Sequence, residues 1–275
     1  MMEHRNKYWT LDDIPWDQFD PTKVDPDMLR IVKAAAMVEL NGGIYAEYLC
    51  SVFDNDPQFQ DASRRWAFEE VQHGSALARW AQMADPDFDF DARFKDFSSK
   101  IQLPTDANSS VRGTRCGELV ARCMVEVGTS SYYSALREAS EEPVLRLICE
   151  KIAQDEIRHY KLFYTHMERY RDIENLGKLK RLWVGLGRIG ESEDDELAYA
   201  YYAANNNGEA YNRKQCIRAY MSRAYGFYEI RHVERAITLI FKAIGFAPHS
   251  RMANWMARAA CWFLNLRMNR TTAAA

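Results

Sequence analysis

The sequence predicts an all-α fold, and three observations point to it. Apolar residues recur at spacings of three and four over several long segments, which is the period of an amphipathic helix. Glycine and proline number only 13 and 8 among 275 residues, while 47% of the residues are hydrophobic. No segment alternates apolar and polar residues with comparable strength, so we expect helices throughout, in a chain long enough to bury a large core.

Four long helices are expected in the first two thirds of the chain. An Asp-Asn-Asp-Pro run closes the first after Phe53, and Asp85 and Pro86 close the second, because proline cannot continue a helix. The connection that follows, about thirty residues, is unusually long and is expected to carry a short helix or to cross the bundle. Pro143 suits the first turn of the fourth helix. The predicted ranges are 27–53, 58–83, 116–140 and 142–170.

Shorter helical patterns continue beyond these four. They lie at 176–186, 194–205, 213–244 and 250–268. We therefore expect three parts: an N-terminal leader over 1–26, a four-helix bundle over 27–171, and a C-terminal helical extension over 172–270 that packs on the bundle.

Charge and cysteine usage narrow the class of protein. A formal net charge of -3 gives no electrostatic reason to expect a nucleic-acid partner. The 6 cysteines are scattered and form no C-x-x-C pair, which fits a reduced cytoplasm. The first residues lack the apolar stretch of a signal peptide, and no run of about 18 apolar residues predicts a membrane span. We expect a cytoplasmic protein.

Two Glu-x-x-His pairs carry the functional prediction. A glutamate and a histidine three residues apart share one face of a helix, and such pairs occur at Glu70 and on the fourth helix at Glu156. A further glutamate precedes each pair by 31 and 30 residues, so the unit occurs twice, with offsets of 87, 86 and 86 between its halves. The six predicted ligands are Glu39, Glu70, His73, Glu126, Glu156 and His159.

This ligand set is that of the ferritin-like dimetal carboxylate bundles. Four carboxylates and two imidazoles suit two hard, six-coordinate divalent ions. Without metal, four glutamates converging in a bundle core would be very costly. The expected cofactor is two iron ions (Fe2+/Fe3+), because the expected chemistry is redox; manganese in one or both positions is the alternative.

Residues beside the ligands have candidate roles. Thr129 follows Glu126 by three, so its hydroxyl can face the metals, and we predict that it is catalytic and directs a proton to bound oxygen. Asp155 and Arg158 flank the fourth-helix ligands and are predicted to hold the imidazole tautomers; an ordinary ion pair is the alternative.

Other residues compete with these or surround them. Glu47 breaks the register and is expected to be peripheral, and Glu69 points about 100° away from Glu70 around the helix. A third pair, Glu229 and His232, has no partner glutamate about thirty residues earlier and is expected to be a chance match or a salt-bridged pair. Several small residues lie beside the ligands, and they are equally consistent with a cavity and with close helix packing. They include Gly42, Gly43, Gly74 and Gly128.

Around these residues the chain resembles the soluble acyl-carrier-protein desaturases. The second helix carries a tryptophan followed by Glu-Glu-x-x-His-Gly, and the fourth carries Asp-Glu-x-Arg-His, as in that family. The similarity spans about residues 30 to 170. The matched positions are Tyr45 after Glu39, Trp66, Glu69, Glu70, His73, Gly74, Thr129 after Glu126, Asp155, Glu156, Arg158 and His159.

The resemblance implies a ferritin-like four-helix bundle with additional C-terminal helices and an oxidoreductase function. Two ferrous ions would react with O2 and oxidise an unactivated C–H bond of a small-molecule or acyl substrate, as a desaturase or hydroxylase does. A ferredoxin-like protein would supply electrons. Ile157 stands where that family usually has a lysine implicated in carrier docking, so oxidation of another kind of substrate stays open.

The alternative function is ferritin- or rubrerythrin-like iron binding or peroxide scavenging, and a third is a metal-bound scaffold. Rubrerythrins usually add a C-x-x-C unit, which this sequence lacks, and about a hundred helical residues follow the bundle. Both observations favour the enzyme. The arylamine N-oxygenases are similar too, but use an extra histidine where this chain has Ile152.

The segment 250–270, which contains the last predicted helix, has four arginines and no acidic residue. Two locations are consistent with this composition. It can lie on a membrane surface near lipid substrates, or it can pack on the bundle or form a dimer interface, which we favour. A homodimer is expected.

Overall fold

The computed structural model describes residues 8–191, 195–206 and 208–272, with side chains up to residue 262. Most of these residues are helical and none of them lies in a β-strand, which confirms the predicted all-α helical bundle. Among the described helices, none combines the length and the apolar content that crossing a bilayer demands.

The bundle is built from long helices that begin where the sequence signals predicted. Proline stands in the first turn of three of them, and an acidic side chain caps each start: Asp25, Asp56 and Glu142 accept hydrogen bonds from backbone N–H groups. A short helix lies in the long connection. The helices are α1 Pro26–Leu40, α2 Gly42–Val52, α3 Pro57–Ala84, α4 Phe90–Lys100, α5 Arg115–Ala139 and α6 Pro143–Glu174.

The prediction of a single first helix was wrong, because the chain turns at Asn41 between α1 and α2. The turn brings α2 against α3 so closely that a Cβ on Gly42 would lie 2.5 Å from Glu70 Cβ. A straight helix with an ordinary side chain at this position could not approach α3 in this way. Glu39 therefore lies in the last turn of α1, beside the break.

In the described residues, five helices follow the bundle: α7 Lys178–Gly190, α8 Asp195–Asn205, α9 Arg213–Gly226, α10 Ile230–Ile244 and α11 Arg251–Thr272. The α8 helix packs on α1, while α7 and α10 pack on α5. The predicted single helix over 213–244 was wrong. The break follows Gly226, and the backbone N–H of Glu229 donates to His232 Nδ1 at 3.0 Å, which satisfies a donor at the new helix start.

The last helix, α11, packs on α9 and α10. Two tryptophans on it are largely exposed, Trp255 by 69% and Trp262 by 65%. The side chains of 263–270, part of the predicted membrane-facing segment, lie outside the described residues, as do residues 1–7 of the leader and Asp194 at the start of the predicted 194–205 helix.

The bundle core consists of two apolar clusters separated along the helix axes. One lies toward the start of α1 and the end of α3, around Trp80 and Ile148; the other lies around Phe59 and Phe163. Five of the six predicted ligands fall between these clusters in sequence, and Glu126 lies at the edge of the second cluster, directly before Val127. Apolar packing on both sides therefore fixes the positions of the polar residues in between.

Candidate metal centre

Four helices bring the six predicted ligands together in the middle of the bundle. One group of potential ligands consists of Glu39, Glu70, His73 and Glu156, and a second consists of Glu70, Glu126, Glu156 and His159. Within each group the ligand atoms all lie within 4.8 Å of one another. Every member is buried, with at most 7% of its surface exposed. The cluster can therefore hold a metal ion.

Two glutamates, Glu70 and Glu156, belong to both groups. Each group then has one further glutamate and one histidine of its own. A carboxylate has two oxygens and can bridge two cations, so this sharing suits a pair of neighbouring ions better than two independent sites. His159 Nδ1 lies 2.9 Å from Glu70 Oε1, and His73 Nδ1 lies 3.4 Å from Glu156 Oε1.

The fit to metal ions rests on atoms that the protein leaves without hydrogen bonds. Four enclosed ligand atoms have no hydrogen-bond partner in the described part of the chain: Glu70 Oε1, Glu156 Oε1, His73 Nδ1 and His159 Nδ1. They are close together but are not aligned as donors and acceptors. Buried polar atoms are nearly always paired, and divalent cations bind carboxylate oxygens and imidazole nitrogens. The donor set therefore fits divalent metal ions.

The other nitrogen of each imidazole is held by a carboxylate from a different helix. His73 Nε2 lies 3.1 Å from Asp155 Oδ2, and His159 Nε2 lies 3.1 Å from Glu69 Oε2. A carboxylate that accepts a hydrogen bond from Nε2–H keeps the proton on Nε2 and so leaves the Nδ1 lone pair free for a cation. Sequence reasoning missed Glu69. It does point away from Glu70 around α3, but that direction leads to the histidine of α6.

Arg158 connects the two supporting carboxylates. Its Nη1 and Nη2 donate to Glu69 Oε2 at 2.9 and 2.8 Å, and Nη2 also donates to Asp155 Oδ1. The guanidinium therefore acts on both histidines through their carboxylates. Arg158 and Asp155 also form an ion pair. The support of the imidazoles and the ordinary ion pair, which were alternatives in the sequence, are therefore one arrangement.

The N-terminal segment completes this support. The Trp9 indole N–H donates to Asp155 Oδ2 at 2.7 Å, and its ring stacks on His73 with a centroid separation of 6.0 Å and an interplanar angle of 7°. The leader therefore contributes a side chain to the centre. No spacing rule in the sequence connects Trp9 to residues on α6, so this contact could not be predicted.

The surroundings of the cluster shift its pKa values strongly. Burial raises the pKa of Glu70, and the charges of Glu156 and Glu39 raise it further. Burial, followed by the charge of Glu156, raises the pKa of Glu126 from 4.5 to about 8. Without cations, protons must therefore neutralise part of the buried negative charge.

The two histidines respond in the opposite sense. Burial alone would lower the pKa of His73, but the hydrogen bond to Asp155 and the nearby carboxylates of Glu156 and Glu39 outweigh it and raise the pKa well above 6.5. Contacts with Glu126, Glu69 and Glu70 likewise overcome burial and raise the pKa of His159. The protonated histidines act as internal counter-charges in the metal-free cluster.

Two hydroxyl groups contact the ligands. Thr129 Oγ1 lies 2.5 Å from Glu156 Oε2, so its side chain does face the cluster, although its role in proton transfer stays a prediction. Tyr133 donates to Glu39 Oε1 at 2.5 Å. Burial raises the pKa of Glu39, but the hydrogen bonds outweigh it and the net shift is downward. Tyr133 lies two helical turns after Glu126 on the same face of α5, a signal that sequence reasoning left unused.

The residues that competed with the six predicted ligands in the sequence belong to neither ligand group. Glu47 is exposed and belongs to neither ligand group. His232 Nε2 lies 2.9 Å from Glu138 Oε2, on the side of α5 that faces α10, and Glu229 pairs with Arg231. The Glu229-x-x-His232 pair is thus part of a helix-packing ion network, as the salt-bridge interpretation expected, although the histidine pairs with Glu138.

The small residues near the ligands divide between the two interpretations. A Cβ on Gly74 would lie 2.4 Å from the backbone nitrogen of Leu40, so this glycine permits close packing of α1 on α3. Gly42 does the same for α2. By contrast, Gly43 and Gly128 have no atom within 4 Å of an added Cβ and border open space.

No protein-family model matches the chain, and no curated protein matches it in sequence. The metal-binding capacity of the cluster therefore stands on its geometry and donor chemistry. The resemblance to acyl-carrier-protein desaturases stays a prediction.

Proposed function

We propose that the protein is an O2-dependent, non-haem di-iron oxidoreductase that acts on an unactivated C–H bond, as a desaturase or hydroxylase. One observation carries the proposal: two ligand groups share Glu70 and Glu156, and each adds one glutamate and one histidine. This is the ligand distribution of di-iron carboxylate bundles. When bound, the iron pair would supply O2 activation and the oxidising power for the substrate.

The chain's own residues have defined tasks in this proposal. Asp155 and Glu69 hold the Nε2 protons of the two histidines, so that both Nδ1 atoms stay directed inward. The Thr129 hydroxyl donates a hydrogen bond to Glu156 Oε2, at the edge of the cluster. Because this hydroxyl is close to the ligands and partly exposed, it is suited to pass a proton between solvent and the centre.

The proposed partners follow the resemblance stated above. They are a small-molecule or acyl substrate and an external electron donor of the ferredoxin type. The principal alternative is iron storage or peroxide scavenging in the manner of ferritins and rubrerythrins. The two differ in metal content and product: an enzyme keeps a fixed iron pair and oxidises a substrate, whereas a storage protein accumulates iron beyond the pair.

Iron stoichiometry and spectroscopy test the proposal. We expect anaerobic reconstitution with ferrous iron to give about two irons per chain, and oxygen to produce the absorption of an oxo-bridged diferric site. Glu156→Ala should abolish both, since Glu156 belongs to both ligand groups. Glu47→Ala, an exposed glutamate on α2, is the matched control and should change neither. An iron content near zero, or one that Glu156→Ala leaves unchanged, would refute the proposal.

Substrate assays follow from the same preparation. Candidate acyl thioesters and free acids are supplied with ferredoxin and a reductase, and products are identified by mass spectrometry. A mass loss of two hydrogens indicates desaturation, and a gain of one oxygen indicates hydroxylation. Iron uptake far beyond two per chain without any product would favour the storage function.

A further inference from the structure

Near the centre, a buried cation makes no hydrogen bond with any residue that the structure describes. Arg122 lies on α5, one helical turn before Glu126, and is only 7% exposed. Its Nε is fully enclosed and has no hydrogen-bond partner among residues 8–191, 195–206 and 208–262. Within the described part of the chain, the terminal nitrogens of this guanidinium also make no hydrogen bond. Arginine offers five N–H donors, and buried donors are nearly always paired, so this side chain has unused binding capacity.

The neighbours of Arg122 hold it in place without using its donors. The guanidinium lies over the Tyr45 ring, 4.9 Å from the centroid. The nearest carboxylate is Glu118, whose Oε1 is 3.7 Å from Nε, beyond hydrogen-bond distance. Glu118 Oε2 accepts from the hydroxyls of Tyr48 at 3.0 Å and Ser110 at 2.8 Å. Those hydroxyls stabilise the Glu118 charge independently, so the pair with Arg122 is loose.

The position of Arg122 connects it to the metal centre. Arg122, Val125 and Thr129 follow one another at spacings of three and four, so they share one face of α5. At one end of this face the Arg122 guanidinium lies against Tyr45 of α2, and at the other end the Thr129 hydroxyl contacts Glu156 of α6. Val125 and Thr129 are both partly exposed. A ligand that lies along this face would therefore contact the arginine at one end and, at the other, reach the Thr129 hydroxyl that donates to Glu156.

We propose that Arg122 binds the carboxylate of the substrate, and that the substrate is an amphiphile whose apolar chain runs along α5 toward Thr129. The inference rests on the proposed function and specifies its substrate class as a free acid. Seven residues separate the two positions, which places the oxidised carbon about 10 Å from the carboxylate at 1.5 Å per residue. A carboxylate matches the planar fork of a guanidinium, and a single negative charge suits a cation that already has Glu118 nearby.

Binding of octanoate and octanol tests the proposal, because the two differ in the charged group and share the chain. Isothermal titration calorimetry is performed on the full chain in chelator and again after zinc loading. We expect octanoate to bind at least about tenfold more tightly than octanol, the range of a hydrogen bond to a charged group. Arg122→Gln should remove this preference and leave octanol binding unchanged.

Two further variants guard against a folding defect and against non-specific charge effects. Glu118→Gln keeps the side-chain shape and removes the competing charge, so it should tighten octanoate binding. Arg64→Gln, at an exposed arginine on α3 that pairs with Asp61, is the control and should have no effect. If zinc and not the arginine bound the octanoate carboxylate, the affinity for octanoate would be the same in Arg122→Gln.

Three results would overturn the proposal: no binding of octanoate, equal affinity for octanoate and octanol, or an octanoate preference that persists in Arg122→Gln. Because binding is measured with and without metal, failure here is distinguishable from failure of the di-iron proposal, which depends on iron content and spectra. The proposed oxidoreductase would then remain, with a substrate anchored elsewhere.

Discussion

Replacing Glu126 by glutamine is expected to stabilise the metal-free protein while it weakens the metal-bound one. Glu126 is 1% exposed, and burial together with the charge of Glu156 raises its pKa from 4.5 to about 8. A carboxyl group whose folded pKa is raised favours the folded state below pH 4.5 and loses that contribution as the pH rises toward 8. Since a pKa difference of one corresponds to about 1.4 kcal/mol, the cost at neutral pH is about 3 kcal/mol.

The glutamine variant removes this cost because it does not ionise. In chelator near neutral pH, we expect its free energy of unfolding to exceed that of the wild type by up to about 3 kcal/mol, and the difference should vanish near pH 4.5. With saturating divalent metal the order should reverse. A ligand present at a thousand times its Kd adds about 4 kcal/mol to the wild type, and the variant has lost one of its ligands.

Urea denaturation in chelator and in metal, at several pH values, measures both effects. Glu138 provides a matched control on the same helix. Burial raises its pKa, but hydrogen bonds from Arg231, His232 and Arg137 outweigh this and lower the pKa to about 2. Glu138→Gln should therefore destabilise the protein above pH 4.5, with or without metal. The reasoning would be refuted if Glu126→Gln also destabilised the metal-free chain at neutral pH.

Three further predictions concern the surroundings of the centre. Asp155→Asn should lower the affinity for divalent metal about 10–100-fold in a competition titration, because a neutral amide oxygen accepts more weakly from His73 Nε2–H than a carboxylate does; unchanged affinity would show that this contact does not support metal binding. Thr129→Val should keep two irons per chain but reduce product formation about a hundredfold, measured by mass spectrometry, if its hydroxyl moves a proton; full turnover would exclude that role. Gly74→Ala should lower the free energy of unfolding by about 1–3 kcal/mol, because its Cβ collides with the α1 backbone. Gly43→Ala, with open space around it, should be neutral or stabilising by up to about 1 kcal/mol.

The sequence pattern predicted the helices well where local signals were strong. The starts of α3 and α6 lie within a residue of the predicted starts, because proline and an acidic cap mark both. The two helix predictions that were wrong each assigned one continuous helix, over 27–53 and over 213–244, where the structure has two. At Asn41 and after Gly226 the apolar period continues across the interruption, and only contacts with distant helices decide that the chain turns.

The convergence of the ligands was predictable for a related reason. Register between two repeated units is a long-range signal carried by the sequence itself, so six positions could be named together. The supporting network has no such signal. Glu69 acts on a histidine 90 residues later and Trp9 on an aspartate 146 residues later, and neither distance follows from helix geometry. Pairing of this kind depends on how the helices are arranged in three dimensions.

The contact between Trp9 and Asp155 also sets an order of events during biosynthesis. The indole leaves the ribosome first, and the carboxylate that accepts its hydrogen bond is synthesised 146 residues afterwards. Until α6 emerges, the nascent chain holds three of the four carboxylates without the helix that supplies the last glutamate and the second imidazole. Domains fold as units once their elements are available, so we expect stable loading with iron to begin only after the fourth long helix has cleared the exit tunnel.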